Sequence, residues 1–199
     1  MIPGKNFDKN FFSSGAYENY QALLRSWVGK VARRIRRTLK NKGVAKVLDV
    51  GCGYGTLLVD LQNKYGFEVT GIEPSSYAIE KASFSVRKKI KKGSILKLSF
   101  KKNSFDAVVC FDVIYYVRPQ ETFRAIKNLV DVSKEYIFFS SLYRHSWEAS
   151  QKNNPDPLRQ TVLSKKEYIN LFFRSGAKLV SHFYSPNGED ILVFRKIQK

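Results

Sequence analysis

The chain has 199 residues, enough to bury the core of one α/β domain. Its 35 Lys and Arg against 17 Asp and Glu give a formal net charge of +18, and 43% of residues are hydrophobic. That balance excludes global disorder and turns the surface towards acidic partners: nucleic acid, phosphorylated lipid or sugar, or an anionic membrane face. Two cysteines, Cys52 and Cys110, exclude a disulfide framework, and no apolar run reaches membrane-spanning length. With no signal-peptide pattern at the start, a reducing cytoplasm is the expected setting. No internal repeat is visible.

Residues 1–16 form a lead-in whose Phe7, Phe11 and Phe12 predict that it docks on the rest of the chain. A long helix is predicted from Tyr17 to Asn41. Tyr17, Tyr20, Leu24, Trp27, Val28, Val31, Ile35 and Leu39 recur at helical spacing on one face, and Gly43 suits a C-terminal cap. The other face carries Arg25, Lys30, Arg33, Arg34, Arg36, Arg37 and Lys40. Such a helix either packs on a sheet with a solvated outer face, or lies against phosphates or a membrane.

Val47-Leu48-Asp49-Val50 predicts a short buried strand of a parallel sheet, and glycines follow at every second position, Gly51, Gly53 and Gly55. A helix begins near Thr56. Strand, glycine turn and helix make a nucleotide cradle, because glycine permits the tight turn and a close backbone approach. The dinucleotide fingerprint G-x-G-x-x-G requires a glycine where Thr56 stands. Asp49 repels a pyrophosphate and suits a cationic amino group. A second strand, Glu68 to Ile72, leads to Glu73-Pro74-Ser75. A carboxylate at that distance from the glycine turn accepts hydrogen bonds from both ribose hydroxyls, in either cofactor class.

One helix is predicted over Ser76 to Arg87, then a short third strand within Lys88 to Lys92, in a segment crowded with lysine. Gly93-Ser94-Ile95 opens the loop that follows. Ala107 to Phe111 is a fourth buried strand, with Asp112 to Val117 at its tip. Pro119 suits the first turn of the next helix, and Tyr136 to Ser140 is a fifth strand. Residues 141–163 lack a period. They gather Tyr143, Arg144, His145, Trp147, Glu148, Asp156 and Arg159 beyond the end of a parallel strand, which is material for a substrate lid. Ser164 and Glu167 form a capping box for a helix ended by Gly176. Lys178 to Tyr184 and Asp190 to Arg195 alternate as two strands joined by Pro186-Asn187-Gly188-Glu189.

The D-x-G-x-G run at Asp49, Gly51 and Gly53 resembles the first motif of the class I S-adenosylmethionine-dependent methyltransferases. The segment from Gly93 to Asp106 is similar to the family's third cofactor segment, with Ser94 where the family has an aspartate. Cys110 to Val117 resembles the form C-F-D-V-I-E-H-V, with Tyr115 and Tyr116 in place of Glu and His. An N-P-P-Y or D-P-P-Y tip is absent, which argues against base N-methylation of that type. Asp156 to Phe172 partly resembles a form common in members linked to glycan or cell-surface metabolism, with Arg159 in place of a histidine. The resemblance covers roughly residues 44–199.

It implies an α/β fold: a Rossmann-like three-layer sandwich with a mostly parallel seven-stranded sheet, a C-terminal antiparallel hairpin and an N-terminal helical cap. Residues 1–43 would be the N-terminal segment and basic helix, and 44–199 the cofactor-binding domain. The implied cofactor is S-adenosyl-L-methionine, leaving as S-adenosyl-L-homocysteine. Asp49, Gly51, Cys52, Gly53 and Gly55 would hold its amino-acid part, Glu73 and Pro74 its ribose, and Ser94 and Ile95 its adenine. Cys110 and Phe111 would border it, and Tyr17 and Tyr20 would close over it. His145 is the candidate general base and Tyr116 a candidate in the cavity wall. The expected acceptor is a small molecule or glycan, anionic or not, with no metal. An RNA methyltransferase, a nicotinamide oxidoreductase and a non-catalytic cofactor-binding module are the alternatives. Nucleic acid and membrane stay open as partners on charge alone.

Overall fold

The computed structural model describes residues 4–13, 20–144, 156–186 and 188–198, with backbone alone at Lys5 and residues 20–26. Its elements run in the order α1 (Lys9–Ser13), α2 (Tyr20–Thr38), β1 (Lys46–Val50), α3 (Thr56–Tyr65), β2 (Glu68–Glu73), α4 (Ser76–Lys81), α5 (Phe84–Arg87) and β3 (Ile90–Lys92). They continue with β4 (Phe105–Phe111), α6 (Thr122–Val132), β5 (Ser133–Ser140), α7 (Lys165–Arg174), β6 (Ala177–Tyr184) and β7 (Asp190–Lys196).

All seven strands lie in one sheet, in the order β3-β2-β1-β4-β5-β7-β6. The first five are parallel, and β7 enters antiparallel to both β5 and β6. The expected sheet and terminal hairpin are therefore present. Strand order reverses between β1 and β4, and a parallel sheet opens its ligand crevice at such a reversal, beyond the carboxyl ends of the strands. Successive strand residues point to opposite faces, so each strand feeds two cores. Val47, Val69, Ala107, Val109, Phe138 and Val193 pack beneath α2 and α3. Leu48, Val108, Cys110, Ile137, Phe139 and Phe194 pack on the face covered by α6 and α7.

The described apolar side chains of the basic helix pack on the first of these cores: Val28, Val31, Ala32 and Ile35 are buried there, with Leu39 just beyond its end. It ends sooner than expected. The chain leaves α2 through a turn in which the Lys42 N–H donates to the Leu39 carbonyl (2.9 Å), and Gly43 does not adopt the left-handed conformation of a capping glycine. The helix expected over Ser76 to Arg87 is broken in two. Ala82 is extended and Ser83 is non-helical, and the Arg87 guanidinium folds back onto the Ala82 carbonyl (3.1 and 2.9 Å), satisfying an acceptor that a continuous helix would have used. The capping box at the start of α7 is complete, with Ser164 Oγ accepting from the Glu167 N–H and the Glu167 carboxylate accepting from the Ser164 N–H. No helix among the described residues is long and apolar enough to cross a membrane.

Candidate cofactor and acceptor site

The end of β1 opens directly into three left-handed glycines: Gly51 at φ 76°, Gly53 at 52° and Gly55 at 71°. Gly51 is confined by packing as well, since an added Cβ would lie 2.1 Å from Val113 Cγ2. Gly71, on the neighbouring strand, leaves room for Cys52, whose Sγ would meet a Cβ there at 2.6 Å. The turn is tied to β2 along its length. Gly51 N–H donates to the Ile72 carbonyl (2.7 Å), and Gly53 N–H donates to Glu73 Oε2 (2.8 Å). Glu73 Oε1 accepts from the Ser75 N–H (2.9 Å). Both Glu73 oxygens are thus engaged, and each keeps a lone pair for a further donor.

Asp49 is buried on the same rim, and no hydrogen bond to its carboxylate is present among the described residues. Burial first, and the charge of Glu73 second, push its carboxyl up to about 7. Burial likewise pushes Glu73 up to about 7, against the two N–H donors that favour its charged form. A buried carboxylate without a partner suits a cation that arrives with a ligand, and a second carboxylate beside it repels a phosphate.

The third strand completes the rim. Glu73 pairs with Lys92, and Gly93 N–H donates to the Glu73 carbonyl (3.1 Å), which sets Ser94 and Ile95 next to the acidic tip. Ser94 Oγ accepts from the Leu96 N–H (3.1 Å), and the Ile95 side chain is buried. The lead-in docks over this end, as its phenylalanines predicted. Gly4 lies so close to Pro74 that a Cβ would sit 2.3 Å from its carbonyl oxygen, and Ser75 Oγ donates to the Phe7 carbonyl. Phe7 meets Tyr116 edge-on (ring centroids 5.1 Å apart), and Phe12 leans on Tyr54 (5.1 Å).

Tyr116 is nearly buried, and its hydroxyl donates to Asp156 Oδ2 (2.6 Å). Arg159 Nε lies 3.4 Å from the same oxygen, with its guanidinium over the Tyr115 ring at 5.4 Å. Gln160 and Thr161 donate their N–H groups to the Tyr115 carbonyl (2.6 and 3.1 Å). The stretch from Asp156 to Thr161, within the expected lid, is therefore laced to the tip of β4. Cys110 belongs to the buried cluster with Leu48, Ile114 and Phe139, so its thiol is core packing, while Phe111 packs edge-on against Trp27 (5.8 Å). His145 and Tyr17 lie outside the described residues, as does the side chain of Tyr20.

Sequence reasoning missed a second acidic feature. Asp112 holds a left-handed conformation (φ 56°) just past β4, uncommon outside glycine and tolerated by Asp. Ser140 Oγ donates to its Oδ1 (3.4 Å). Glu189 lies in the turn between β6 and β7, where its N–H donates to Ser185 Oγ (3.1 Å). Burial pushes the Asp112 carboxyl up, and the Asp112 charge does the same to Glu189. An acid directly after the fourth strand was a readable signal for the first. Nothing local marked the second.

With this geometry in view, residues 47–135 match the family described as a methyltransferase domain, a span from β1 into β5 that contains the glycine loop and both acidic tips. Across the glycine loop and the strands beside it the chain is similar to methyltransferases. An uncharacterized methyltransferase of Schizosaccharomyces pombe is 32% identical over 144 residues, 65% of this chain and 50% of the relative. A sterol 24-C-methyltransferase of Gibberella zeae is 30% identical over 136 residues, 62% of this chain and 34% of the relative. The chain thus spans about half or less of the length of these curated relatives. Among solved structures, the magnesium protoporphyrin IX methyltransferase of Synechocystis PCC 6803 with bound SAH superposes with a TM-score of 0.74 at 16% identity, over 97% of both chains. At that identity the methyltransferase domain shares the fold alone.

Proposed function

We propose that this chain is an S-adenosyl-L-methionine-dependent methyltransferase acting on a small molecule, a glycan or a cell-surface precursor. The observation that carries this reading is the buried, unpartnered Asp49 carboxylate beside three left-handed glycines braced by Glu73. Leaving such a charge unpaired costs several kcal/mol, on the order of the desolvation of one buried ion. The α-amino group of the cofactor supplies the missing cation. A pyrophosphate would meet Asp49 and Glu73 together, which disfavours a nicotinamide cofactor.

When bound, the cofactor supplies a methyl group already activated on a sulfonium, so the protein's tasks are alignment, exclusion of water and removal of a proton. Asp49 and the loop Gly51 to Gly55, with Cys52, hold the amino-acid part. The spare lone pairs of Glu73 take the ribose hydroxyls beside Pro74. Ser94 Oγ and Ile95 flank the adenine, a hydroxyl accepting its amino group more weakly than a carboxylate. Cys110 contributes backbone and Phe111 an aromatic edge, with Tyr17 and Tyr20 as candidate covering groups. Phe7, Phe11 and Tyr116 form an aromatic roof that keeps water out.

Burial pushes the Asp112 carboxyl up to about 6, and the Asp112 charge pushes Glu189 up to about 8, so both acids are candidates for taking a proton from a hydroxyl acceptor near neutrality. His145 is a further candidate base. Two free, buried thiols are consistent with a reducing compartment such as the cytoplasm. The relatives named above bear names of very different acceptors, a sterol and a porphyrin, and so support the methyltransferase class more than any one substrate.

Calorimetry with S-adenosylhomocysteine tests the cofactor reading, and transfer of radiolabelled methyl to glycan, lipid, RNA and protein fractions of a cell extract tests the acceptor. Heat with S-adenosylhomocysteine and label in the glycan or small-molecule fraction is expected. No heat, with NAD stabilising the fold instead, sinks the reading.

A further inference from the structure

The outer face of α2 and the end of β6 enclose a groove of about 320 Å³ that the cofactor reading leaves unused. Lys30, Arg33, Arg34 and Arg37 form one wall, and Phe183 and Tyr184 the other. The four cations fall at positions that share one face of a helix. Arg34 is held in place over the Phe183 ring at 5.4 Å, while Lys30, Arg33 and Arg37 are exposed. No carboxylate lines the groove among the described residues, and α2 itself contains none. None of the four has an ion pair among the described residues, unlike Lys42, Lys46 and Lys64 nearby.

The groove adjoins the carboxyl end of the parallel strands. Tyr184 pairs with Asp190 at the edge of the sheet where the parallel strands end. Ser185 also lines the groove; its N–H donates to the Glu189 carbonyl (2.8 Å) and its Oγ accepts from the Glu189 N–H (3.1 Å). One short turn therefore walls the groove and carries Glu189 beside it.

We infer that this groove is the anchoring subsite for a phosphate or diphosphate group carried by the methyl acceptor, an inference that rests on the methyltransferase reading. Guanidinium groups grip phosphate oxygens bidentately, and the exposed Tyr184 ring offers a stacking face for a base or sugar beside them. The size favours a compact headgroup. Lys30 to Arg37 spans about 10 Å at the helical rise of about 1.5 Å per residue. The volume falls at the small end of the roughly 300–1,000 Å³ of small-molecule sites. A single nucleic-acid strand needs a longer track, of roughly four nucleotides or more. A membrane-lying helix needs a free apolar face, and from Trp27 to Ile35 that of α2 is buried on the sheet.

Isothermal calorimetry on the full chain tests the inference with inorganic pyrophosphate and UDP, beside S-adenosylhomocysteine as a separate titrant. Arg33→Glu/Arg37→Glu changes two exposed groove residues. Lys101→Glu/Lys102→Glu makes the same charge change away from the groove. The expected result is that pyrophosphate and UDP bind the parent chain and weaken at least 30-fold in the Arg33/Arg37 variant. The Lys101/Lys102 variant binds them as before, and S-adenosylhomocysteine affinity stays within twofold in both.

Pyrophosphate and UDP failing to bind, or binding equally to both variants, overturns the groove. So does a 20-nucleotide single-stranded RNA or an anionic phosphatidylglycerol vesicle that needs the two arginines when pyrophosphate does not. S-adenosylhomocysteine binding without pyrophosphate binding defeats this inference alone. Pyrophosphate binding without S-adenosylhomocysteine binding keeps the anion site and defeats the methyltransferase reading.

Discussion

Glu73 holds Gly53. The carboxylate at the tip of β2 accepts the N–H of a glycine twenty residues earlier at 2.8 Å, so the residue expected to take a ribose also sets the shape of the loop that takes the amino acid. The two halves of the candidate cofactor cradle are therefore mechanically one unit.

Glu73→Gln separates these duties from simple burial of charge. Glutamine has one acceptor oxygen, so either Gly53 or Ser75 loses its partner, and an amide nitrogen faces an N–H. An unsatisfied buried donor costs about 1–3 kcal/mol. S-adenosylhomocysteine affinity measured by calorimetry is expected to fall at least tenfold, with a lowered urea midpoint.

Gly51→Ala tests the cradle sterically. The new methyl would meet Val113 Cγ2 at 2.1 Å while the backbone stays at φ 76°. A loss of at least about 2 kcal/mol in urea unfolding is expected, with cofactor affinity lost alongside. Gly43→Ala is the control, since nothing lies within 4 Å of a Cβ there and its φ is outside the left-handed region. That change is expected to be neutral or to stabilise by about 0.4–1 kcal/mol.

Asp49 makes the ligand-free protein sensitive to pH. Its carboxyl titrates near 7 when folded, raised chiefly by burial, and near the ordinary aspartate value when unfolded. Stability from its neutral form is complete below the unfolded value, falls as pH rises, and is gone above about 7. Asp49→Asn removes that dependence. Urea melts at pH 8 are expected to show the ligand-free variant more stable, by up to about 4 kcal/mol, with little difference at pH 4. Affinity of the parent chain for S-adenosylhomocysteine is expected to rise from pH 5.5 to 7.5, because the carboxylate must ionise to meet an ammonium group. The variant binds weakly at every pH.

Tyr116→Phe distinguishes packing from chemistry. The ring stays against Phe7, and Asp156 loses a 2.6 Å hydrogen bond while keeping Arg159. A stability loss of about 1–2 kcal/mol is expected in urea unfolding. Turnover on the identified acceptor is expected to fall less than tenfold, with an unchanged pH profile. A larger fall with a displaced profile would assign the hydroxyl to the reaction.

The stretch from Asp49 to Glu73 was legible in the sequence because its information is local. A short buried strand, three glycines and an acid after the next strand constrain backbone and ligand within one βαβ unit. The capping box at Ser164 and Glu167 and the hairpin before Asp190 were readable for the same reason. The break at Ala82 was not, because helical spacing says nothing of an arginine that folds back onto a carbonyl. Tertiary structure alone decided which distant groups meet: Ser75 with the Phe7 carbonyl across 68 residues, Tyr116 with Asp156, and Arg34 of α2 with Phe183. These contacts arise from how helices and strand ends stack on one sheet, and the cost of closing such long loops is repaid only by the shared core, which no short pattern encodes.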